Sequence, residues 1–534
     1  MPITRVARSF AHRRFAVLSV LPAVLLSAVL LTAVGGCAPL VDEPETPVEL
    51  ELPESAPERL EHDVRYLAAT EREGRGIGTD GVADAERYIR RRFEALGLGR
   101  APHLDGFTQP FSVYRHGFDP ERTVLRVLPE SEPGAPKLVA RPGGEMRVLP
   151  FSAEGNVIAP LDFAGYAITA PERGWDDFED RELEGAAGLA LRYEPWLEDP
   201  VGPYGRMQLS EHASINRKAR EAANAGAEAL LVVTGPKHAD DLEDLRPFEL
   251  VTLDPERNPL ERIRNPAEIP VVQISRSFAE RMLRPLGVNL QELQRSVHNR
   301  AEPVELETDK VRIELSIVAD PNPEVVAVRN VVGYIPGEAD DEVIVIGAHH
   351  DHLGAFGEKP EAVYHGADDN ASGVAAVLEL AKRFSVREEP PPVGLVFVTF
   401  SAEEVGLLGS RAFVDEIVEQ AWGDSLRVRR MINLDMIGRN PDKPLRIFDS
   451  EEADDSAITL LAEELELAVE HRSGEAPPNS DHYPFYRAGI SILALYTGLH
   501  EDYHHVSDTA NLLEYERMAR MTELLKALIL NEKL

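Results

Sequence analysis

The chain has 534 residues, more than one ordinary hydrophobic core accommodates, so two or three domains are expected. Hydrophobic residues make up 43% and charged residues 28%, as in a soluble globular protein. The 92 acidic residues outnumber the 56 basic ones and give a net charge of -36. Because phosphate recognition needs clustered lysine and arginine, this balance argues against nucleic acid as a partner. We interpret the excess of acid as a solubilising surface.

The N-terminus has the organisation of an export signal. Four arginines within residues 5–14 precede an apolar run over residues 15–34. The run is followed directly by Gly35-Gly36-Cys37. This resembles a bacterial lipoprotein signal, and Cys37 is the only cysteine. The resemblance implies a lipidated Cys37, membrane attachment, and a cell-envelope location facing the periplasm or the exterior. An uncleaved membrane anchor is the alternative, since about 20 apolar residues are long enough to cross a bilayer.

Residues 38–56 are rich in proline and glutamate and predict a disordered tether. Helices are expected over residues 57–67 and around residues 85–96, where apolar side chains recur at helical spacing. Strands are expected from about residue 107, at residues 111–114 and 124–128.

A different pattern covers residues 142–300. It predicts strands at residues 188–192, 229–233 and 269–275 and a helix over residues 215–225. These segments resemble the protease-associated domain, an accessory β-rich module that is inserted in exopeptidases. The resemblance implies that this module takes no part in catalysis. We interpret His212, His238 and His298 as surface residues.

Three apolar runs that follow each end in side chains able to bind divalent metals. Residues 343–348, 393–400 and 431–434 predict buried strands, and residues 374–384 predict a connecting helix. Such strands are expected to be parallel, and ligands bind at the carboxyl ends of parallel strands. The side chains at or near these ends are those of His349, Asp351, His352, Asp368, Asp369, Glu403, Glu404 and Asp435.

Imidazole and carboxylate groups without thiolates suit zinc, with manganese or cobalt as alternatives. Several converging acids favour two ions that share one carboxylate and activate a water molecule. Glu403 and Glu404 are adjacent and leave the strand in different directions, so one can bind metal while the other acts as general base.

These residues are similar to the di-zinc exopeptidase family of bacterial aminopeptidases and glutamate carboxypeptidases (zinc peptidase family twenty-eight). The similarity spans residues 329–509 and implies a three-layer, doubly wound α/β fold with a mixed, mainly parallel sheet. It implies one zinc ion on His349, Asp369 and Asp435, and a second on Asp369, Glu404 and His504. In the family pattern Asp351 orients His349, Glu403 is the general base of a zinc-bridged hydroxide, and Tyr503 polarises the scissile carbonyl.

The resemblance also places the neighbouring polar residues. It puts His350 and His505 outside the ligand set, leaves a site role for His482 open, and assigns Asp368 to support of the turn. The implied domains are a signal peptide (1–37), a tether (38–56), an N-terminal part of the peptidase domain (57–141), the protease-associated domain (142–300) and the catalytic domain (301–534).

The leading hypothesis is an aminopeptidase acting on peptides, whose free α-amine would be held by acids such as Glu403 and Asp435. A carboxypeptidase of the same fold would need arginines for the substrate carboxylate, and Arg439 and Arg487 are the candidates. A glutaminyl cyclase uses fewer ligands, and a non-catalytic binding protein would lack some of them. The oligomeric state is not predicted.

Overall fold

The computed structural model describes residues 52–129, 138–179, 182–195, 210–237, 250–254, 268–298, 310–355, 363–451 and 455–531. The predicted lipoprotein signal, with Cys37, lies outside these residues, as does most of the predicted tether. Within the described ranges, none of the helices combines the length and the apolar character needed to cross a bilayer.

Ten α-helices are described, and we number them along the chain. They are α1 Ala56–Leu67, α2 Asp80–Ala95, α3 Ile215–Asn224, α4 Arg276–Leu283, α5 Leu290–His298, α6 Gly373–Ser385, α7 Leu408–Ala412, α8 Asp455–Glu464, α9 His482–Arg487 and α10 Tyr515–Leu530. Ser55 and Thr79 accept backbone N–H groups at the starts of α1 and α2, as helix-capping side chains do. A kinked 3-10 segment covers Thr70–Arg75, and π-helical turns cover Ala367–Ser372 and Phe413–Trp422.

Nineteen strands are described. They are β1 Thr108–His116, β2 Val124–Pro129, β3 Leu138–Ala140, β4 Met146–Val148, β5 Gly155–Phe163, β6 Thr169–Ala170, β7 Trp175–Asp176, β8 Ala187–Leu191, β9 Ala229–Val233, β10 Leu250–Thr252, β11 Val271–Ile274, β12 Val311–Ile317, β13 Glu324–Ile335, β14 Ala339–His349, β15 Val393–Phe400, β16 Arg427–Leu434, β17 Leu445–Asp449, β18 Val469–Ser473 and β19 Ile492–Tyr496.

The larger sheet has nine described strands in the order β10-β1-β13-β15-β14-β16-β19-β17-β18. Its centre is parallel, because β14 runs parallel to β15 and β16, and β16 runs parallel to β19. His349 pairs with Phe400, and Leu434 pairs with Leu495, so these strands end at one edge. The predicted doubly wound α/β fold is confirmed, although antiparallel pairs flank the centre and make the sheet less parallel than expected.

Alternating apolar side chains give this sheet a helical layer on each face. Ile344 and Ile346 of β14 join a core with α1, α2, α6, α8 and α10. Val343 and Val345 point the other way and pack with the turn Phe413–Trp422 and with Phe485 of α9. Burial on both faces explains the uninterrupted apolar runs that predicted these strands.

The second sheet has eight described strands in the order β3-β2-β12-β5-β8-β9-β11-β4. It therefore includes β2 and β3, which precede residue 142, and β12, which follows residue 300. Conversely, β10 lies within residues 142–300 but pairs with β1 at the edge of the larger sheet. The boundary between the two sheets therefore does not coincide with the predicted limits of 142 and 300. For example, β2 and β12 lie outside these limits and pair with each other, although about 180 residues separate them.

The histidines of this region are not simply surface residues. His212 is buried, and its Nε2 lies 2.8 Å from Oε1 of Glu172. His298 is half-buried, with Nε2 2.8 Å from the hydroxyl of Tyr166. The expectation of surface positions is wrong for His212, and His238 lies outside the described residues.

Candidate metal centre

The strand ends of the larger sheet bring the predicted ligands together. His349 is the last residue of β14, and Asp435 directly follows β16. His349 Nε2 lies 3.3 Å from Asp369 Oδ1 and 3.5 Å from Asp435 Oδ1. These three side chains are the predicted set for the first ion.

The predicted set for the second ion lies on the other side of Asp369. His504 Nε2 is 3.1 Å from Asp369 Oδ2 and 3.3 Å from Glu404 Oε2. Oδ1 of Asp369 therefore faces His349 while Oδ2 faces His504. This is the arrangement that a carboxylate shared by two ions requires.

Glu403 and Glu404 point to different places, as expected of adjacent residues. Glu403 Oε2 lies 3.9 Å from His349 Nε2, whereas Glu404 faces His504 and His352. Their backbone N–H groups donate to the two carboxylate oxygens of Asp351, at 3.1 Å and 3.3 Å.

Asp351 lies beside His349 with both its carboxylate and its backbone carbonyl. Its Oδ1 is 3.9 Å from Nδ1 of His349, whereas its own backbone carbonyl is 3.1 Å from that nitrogen. Both groups therefore face the imidazole of His349, and the buried carboxylate also fixes the turn that carries Glu403 and Glu404.

Tyr503 is half-buried beside the predicted ligand His504. Its ring stacks on that of His504, with 3.8 Å between centroids and 26° between planes. Burial, together with the charges of Asp369 and Glu404, raises the pKa of Tyr503 above its ordinary value. The hydroxyl therefore stays protonated at neutral pH and can donate a hydrogen bond.

The turn that presents Asp369 is held from several sides. Asp508 accepts the backbone N–H groups of Asp368 and Asp369, and the peptide bond between Asp369 and Asn370 is cis. Asp368 accepts from the backbone N–H of Gly438 and lies 3.1 Å from His500 Nε2. Asp368 thus supports the turn, as expected. Gly366 has φ +55°, and a Cβ there would lie 2.2 Å from the carbonyl oxygen of Asp369.

Two side chains that contact the ligands were given no role in the sequence-based prediction of the site. Buried His352 places Nδ1 2.7 Å from Oε1 of Glu404, and Ser480 donates from Oγ to Oδ2 of Asp435 at 2.6 Å. His352 belongs to the run His349-His350-Asp351-His352, which was the available signal. Ser480 follows Asp435 by 45 residues in the sequence and belongs to Ser480-Asp481-His482, in which only His482 was considered for a site role.

The other histidines face elsewhere. His350 Nδ1 lies 3.1 Å from the hydroxyl of Thr399. His482 Nε2 lies 3.0 Å from the carbonyl of Pro477, and Nδ1 lies 3.5 Å from the amide of Asn433. His482 thus contacts Asn433 of β16 and the carbonyl of Pro477.

The charges of the centre are strongly coupled. Burial alone would lower the pKa of His349, but Glu403, Asp369 and Asp435 hold it well above its ordinary value. Burial would raise the pKa of Glu404, but hydrogen bonds from His352 and His504 lower it to about 2. Burial raises the pKa of Glu403 well above the ordinary glutamate value, and neighbouring acids add to this. Glu404 is thus suited to bind a cation, and Glu403 to take up a proton.

The residues fit divalent metal ions. One ligand atom each from His349, Asp369 and Glu404 lie within 4.8 Å of one another, as do atoms of His349, Glu403 and Asp435. Nε2 of His349 and Nε2 of His504 each face two carboxylate oxygens of the other predicted ligands at 3.1–3.5 Å, a buried donor set of the kind that holds divalent ions. Nitrogen and oxygen donors without sulfur suit zinc.

Comparison with known proteins places the same region in one family. The model of "Peptidase family M28" matches residues 330–529, which contain all the predicted ligands.

Individual relatives match the same part of the chain. "Uncharacterized protein YfbL" of Escherichia coli is 29% identical over 229 residues, which cover 37% of this chain and 69% of that protein. "Aminopeptidase YwaD" of Bacillus subtilis is 27% identical over 35% of this chain and 40% of that protein. Apart from YfbL, the chain thus spans less than half the length of the first curated relatives it matches.

A solved structure extends the similarity to the whole fold. The zinc aminopeptidase BSAP from Bacillus subtilis is 21% identical, with a TM-score of 0.55 over 91% of this chain and 98% of the other.

Proposed function

Since residues 330–529 match the model of peptidase family M28, we propose that the chain is a zinc-dependent aminopeptidase that removes N-terminal residues from peptides. One observation carries the proposal. His349, Asp369, Glu404, Asp435 and His504 converge at the carboxyl edge of the larger sheet, with Glu403 beside them. A binding protein that had lost catalysis would not need the base and both ligand sets.

The proposal includes two zinc ions per chain, with manganese or cobalt as substitutes. One set of ligands would be His349, Asp369 and Asp435, and the other would be Asp369, Glu404 and His504. Bound zinc polarises a carbonyl oxygen and makes water more acidic.

Glu403 is the proposed general base. Its carboxylate takes a proton from the attacking water and later delivers it to the leaving amine. The turn fixed by Asp351 holds Glu403 beside the ligands, and its raised pKa brings proton transfer closer to neutral pH. Tyr503 donates a hydrogen bond to the scissile carbonyl oxygen, where negative charge develops in the transition state.

The preference for a free amine over a free carboxylate follows from the charges around the site. Arg439, one candidate for holding a substrate carboxylate, donates from Nη2 to Oδ2 of Asp502 at 2.7 Å. Arg487, the other candidate, is exposed at the end of α9. The carboxylates of Glu403 and Asp435 favour a cationic α-amine instead.

The decisive experiment compares a tripeptide with its N-acetylated twin, each with and without a chelator, and identifies the products by mass. We expect chelator-sensitive release of the first residue from the free peptide only. Release of the last residue from both twins would assign a carboxypeptidase. The absence of release from a panel of peptides, with zinc bound, would refute catalysis.

We also propose that Cys37 is lipidated and anchors the enzyme to the cell envelope, and that the region around the second sheet is a protease-associated domain. The lipoprotein signal motif supports the first proposal, and the β-rich insertion between parts of the peptidase domain supports the second. Labelling with a radioactive fatty acid tests the anchor, because a Cys37→Ser variant should lose both the label and the membrane fraction. An unchanged label would contradict the proposal.

A further inference from the structure

Arg75 is a buried cation close to the metal centre, and no step proposed above uses it. Only 1% of its surface is exposed. Within the described structure its guanidinium donates to four backbone carbonyls. They are those of Leu67 at 2.7 Å, His350 at 2.8 Å, His365 at 2.9 Å and Gly366 at 2.8 Å.

Three of these carbonyls belong to the segments that carry the ligands. His350 directly follows His349, and His365 and Gly366 precede Asp369 by a few residues. The backbone around Arg75 returns the contact, since His352 N–H donates to the carbonyl of Arg75 at 3.1 Å. His352 in turn contacts Glu404. One side chain therefore joins the Asp369 turn to the segment that holds Glu404.

The two halves of the centre differ in how much they need such support. His349 ends β14 and Asp435 directly follows β16, so backbone ladders already hold both. Asp369, Glu404 and His504 all lie outside the strands. Hydrogen bonds from a side chain such as Arg75 therefore matter more for the positions of these three residues than for those of His349 and Asp435.

The charge of Arg75 suits the same role. The guanidinium contacts neutral carbonyls, but the negative charges of Asp369, Asp508, Asp351 and Glu404 act on it from nearby. Burial lowers the pKa of Arg75 to about 10, so it remains a cation at neutral pH. It thus offsets part of the repulsion among the clustered carboxylates before any metal binds.

We propose that Arg75 is a positioning residue for the half of the metal centre formed by Asp369, Glu404 and His504. This inference rests on the proposed binding of two zinc ions. It predicts that the second ion depends on Arg75 more strongly than the first, which shares only Asp369 with that half and keeps His349 and Asp435 at the strand ends.

The test measures zinc binding by competition with a chromophoric chelator, together with the metal content, so it does not depend on activity. The variants are Arg75→Lys and Arg75→Met, with His504→Ala as the reference for loss of the second site. Lysine keeps the charge but cannot reach four carbonyls with one ammonium group. We expect Arg75→Lys to weaken the second ion about 10- to 100-fold, the usual effect of losing a group that orients a metal ligand. We expect a larger effect from Arg75→Met, and in both variants a smaller loss at the first ion than at the second.

Arg92→Lys is the matched control for the loss of a buried arginine. Arg92 is also fully buried, but it contacts Asp63 and Tyr88. This control should lower the unfolding temperature and leave both zinc ions bound as in the wild type.

Three other outcomes are possible, and each contradicts one of the proposals. Wild-type protein that binds fewer than two ions would refute the two-zinc proposal itself. Wild-type zinc affinity in folded Arg75→Lys would overturn the positioning role. Equal loss of both ions, or a failure of Arg75→Lys to fold in the presence of zinc, would assign Arg75 to the stability of the fold.

Discussion

At the scale of single residues, the centre works through acids that are chemically alike but differently placed. Glu404 accepts from two imidazoles, which lowers its pKa to about 2, whereas burial among other acids raises the pKa of Glu403. These opposite shifts in pKa suit the roles proposed above, Glu404 as a ligand and Glu403 as a proton carrier. The sequence predicted this division of roles between two adjacent glutamates, but the imidazoles that produce it come from distant segments.

We expect Glu403→Gln to lower kcat by about 10²- to 10⁴-fold, the usual contribution of a general base. Zinc binding should stay close to that of the wild type, because the amide keeps the shape of the side chain and Glu403 belongs to neither predicted ligand set. Steady-state kinetics with a metal determination on the same sample test both statements. Full activity in the zinc-loaded variant would refute the role of Glu403.

The same residue predicts a pH dependence. The base must be deprotonated, so activity is present above the pKa of Glu403 and is lost as the pH falls through it. Because burial raises this pKa, the loss should begin at a higher pH than for an ordinary glutamate. A profile of kcat/KM against pH checks this, and the residual activity of Glu403→Gln should lack the acidic limb.

We expect His352→Ala to weaken zinc binding about 10- to 100-fold, because Glu404 Oε1 loses its partner at 2.7 Å. A competition titration measures the effect. His482→Ala is the control, since His482 contacts Asn433 and Pro477 rather than Glu404. Equal effects of the two variants would point to general destabilisation instead.

At the scale of elements, buried charges also hold the helical layer together. Glu379 of α6 is 1% exposed and accepts two hydrogen bonds from Arg59 of α1, both at 2.9 Å. It also lies 3.0 Å from Nε of Arg383, which pairs with Glu523 of α10. Glu379 therefore links α1 to α6 directly, and Arg383 extends the network to α10.

We expect Glu379→Ala to lower the free energy of unfolding by about 3 kcal/mol, because it leaves two arginines without their buried partner. Glu523→Ala removes a more exposed carboxylate and should cost less than about 1 kcal/mol. Denaturant unfolding of both variants measures the difference. Similar values for the two would show that burial of Glu379 contributes little.

The elements also show where prediction from sequence succeeds. Residues 393–400 coincide with β15, because a strand buried on both faces has an uninterrupted apolar sequence. The start of β16 was missed because Arg429 and Arg430 read as polar, although Arg430 is buried between Asp449 and Glu451. The contacts of His352, Ser480 and Arg75 could not be predicted, since they depend on how distant segments meet.

At the scale of the whole molecule, the metal centre joins distant parts of the chain. Its predicted ligands extend from residue 349 to residue 504, so zinc should stabilise the folded state. We expect removal of zinc to lower the unfolding temperature and added zinc to restore it in a concentration-dependent way. Calorimetry checks this, with Asp369→Asn as a control that should respond weakly. Identical unfolding with and without bound zinc would contradict the expectation.

The short strand β10 has a consequence for the modularity of the chain. Leu250–Thr252 belongs to residues 142–300 but pairs with β1 in the larger sheet. Residues 142–300 therefore cannot be removed as a unit without changing that sheet. Excision at residues 142 and 300 would separate β12 from β5 and leave β1 as an uncovered edge, open to pairing with other chains. Domain grafts between relatives should therefore cut between β1 and β2 and between β12 and β13, and should supply a substitute for β10.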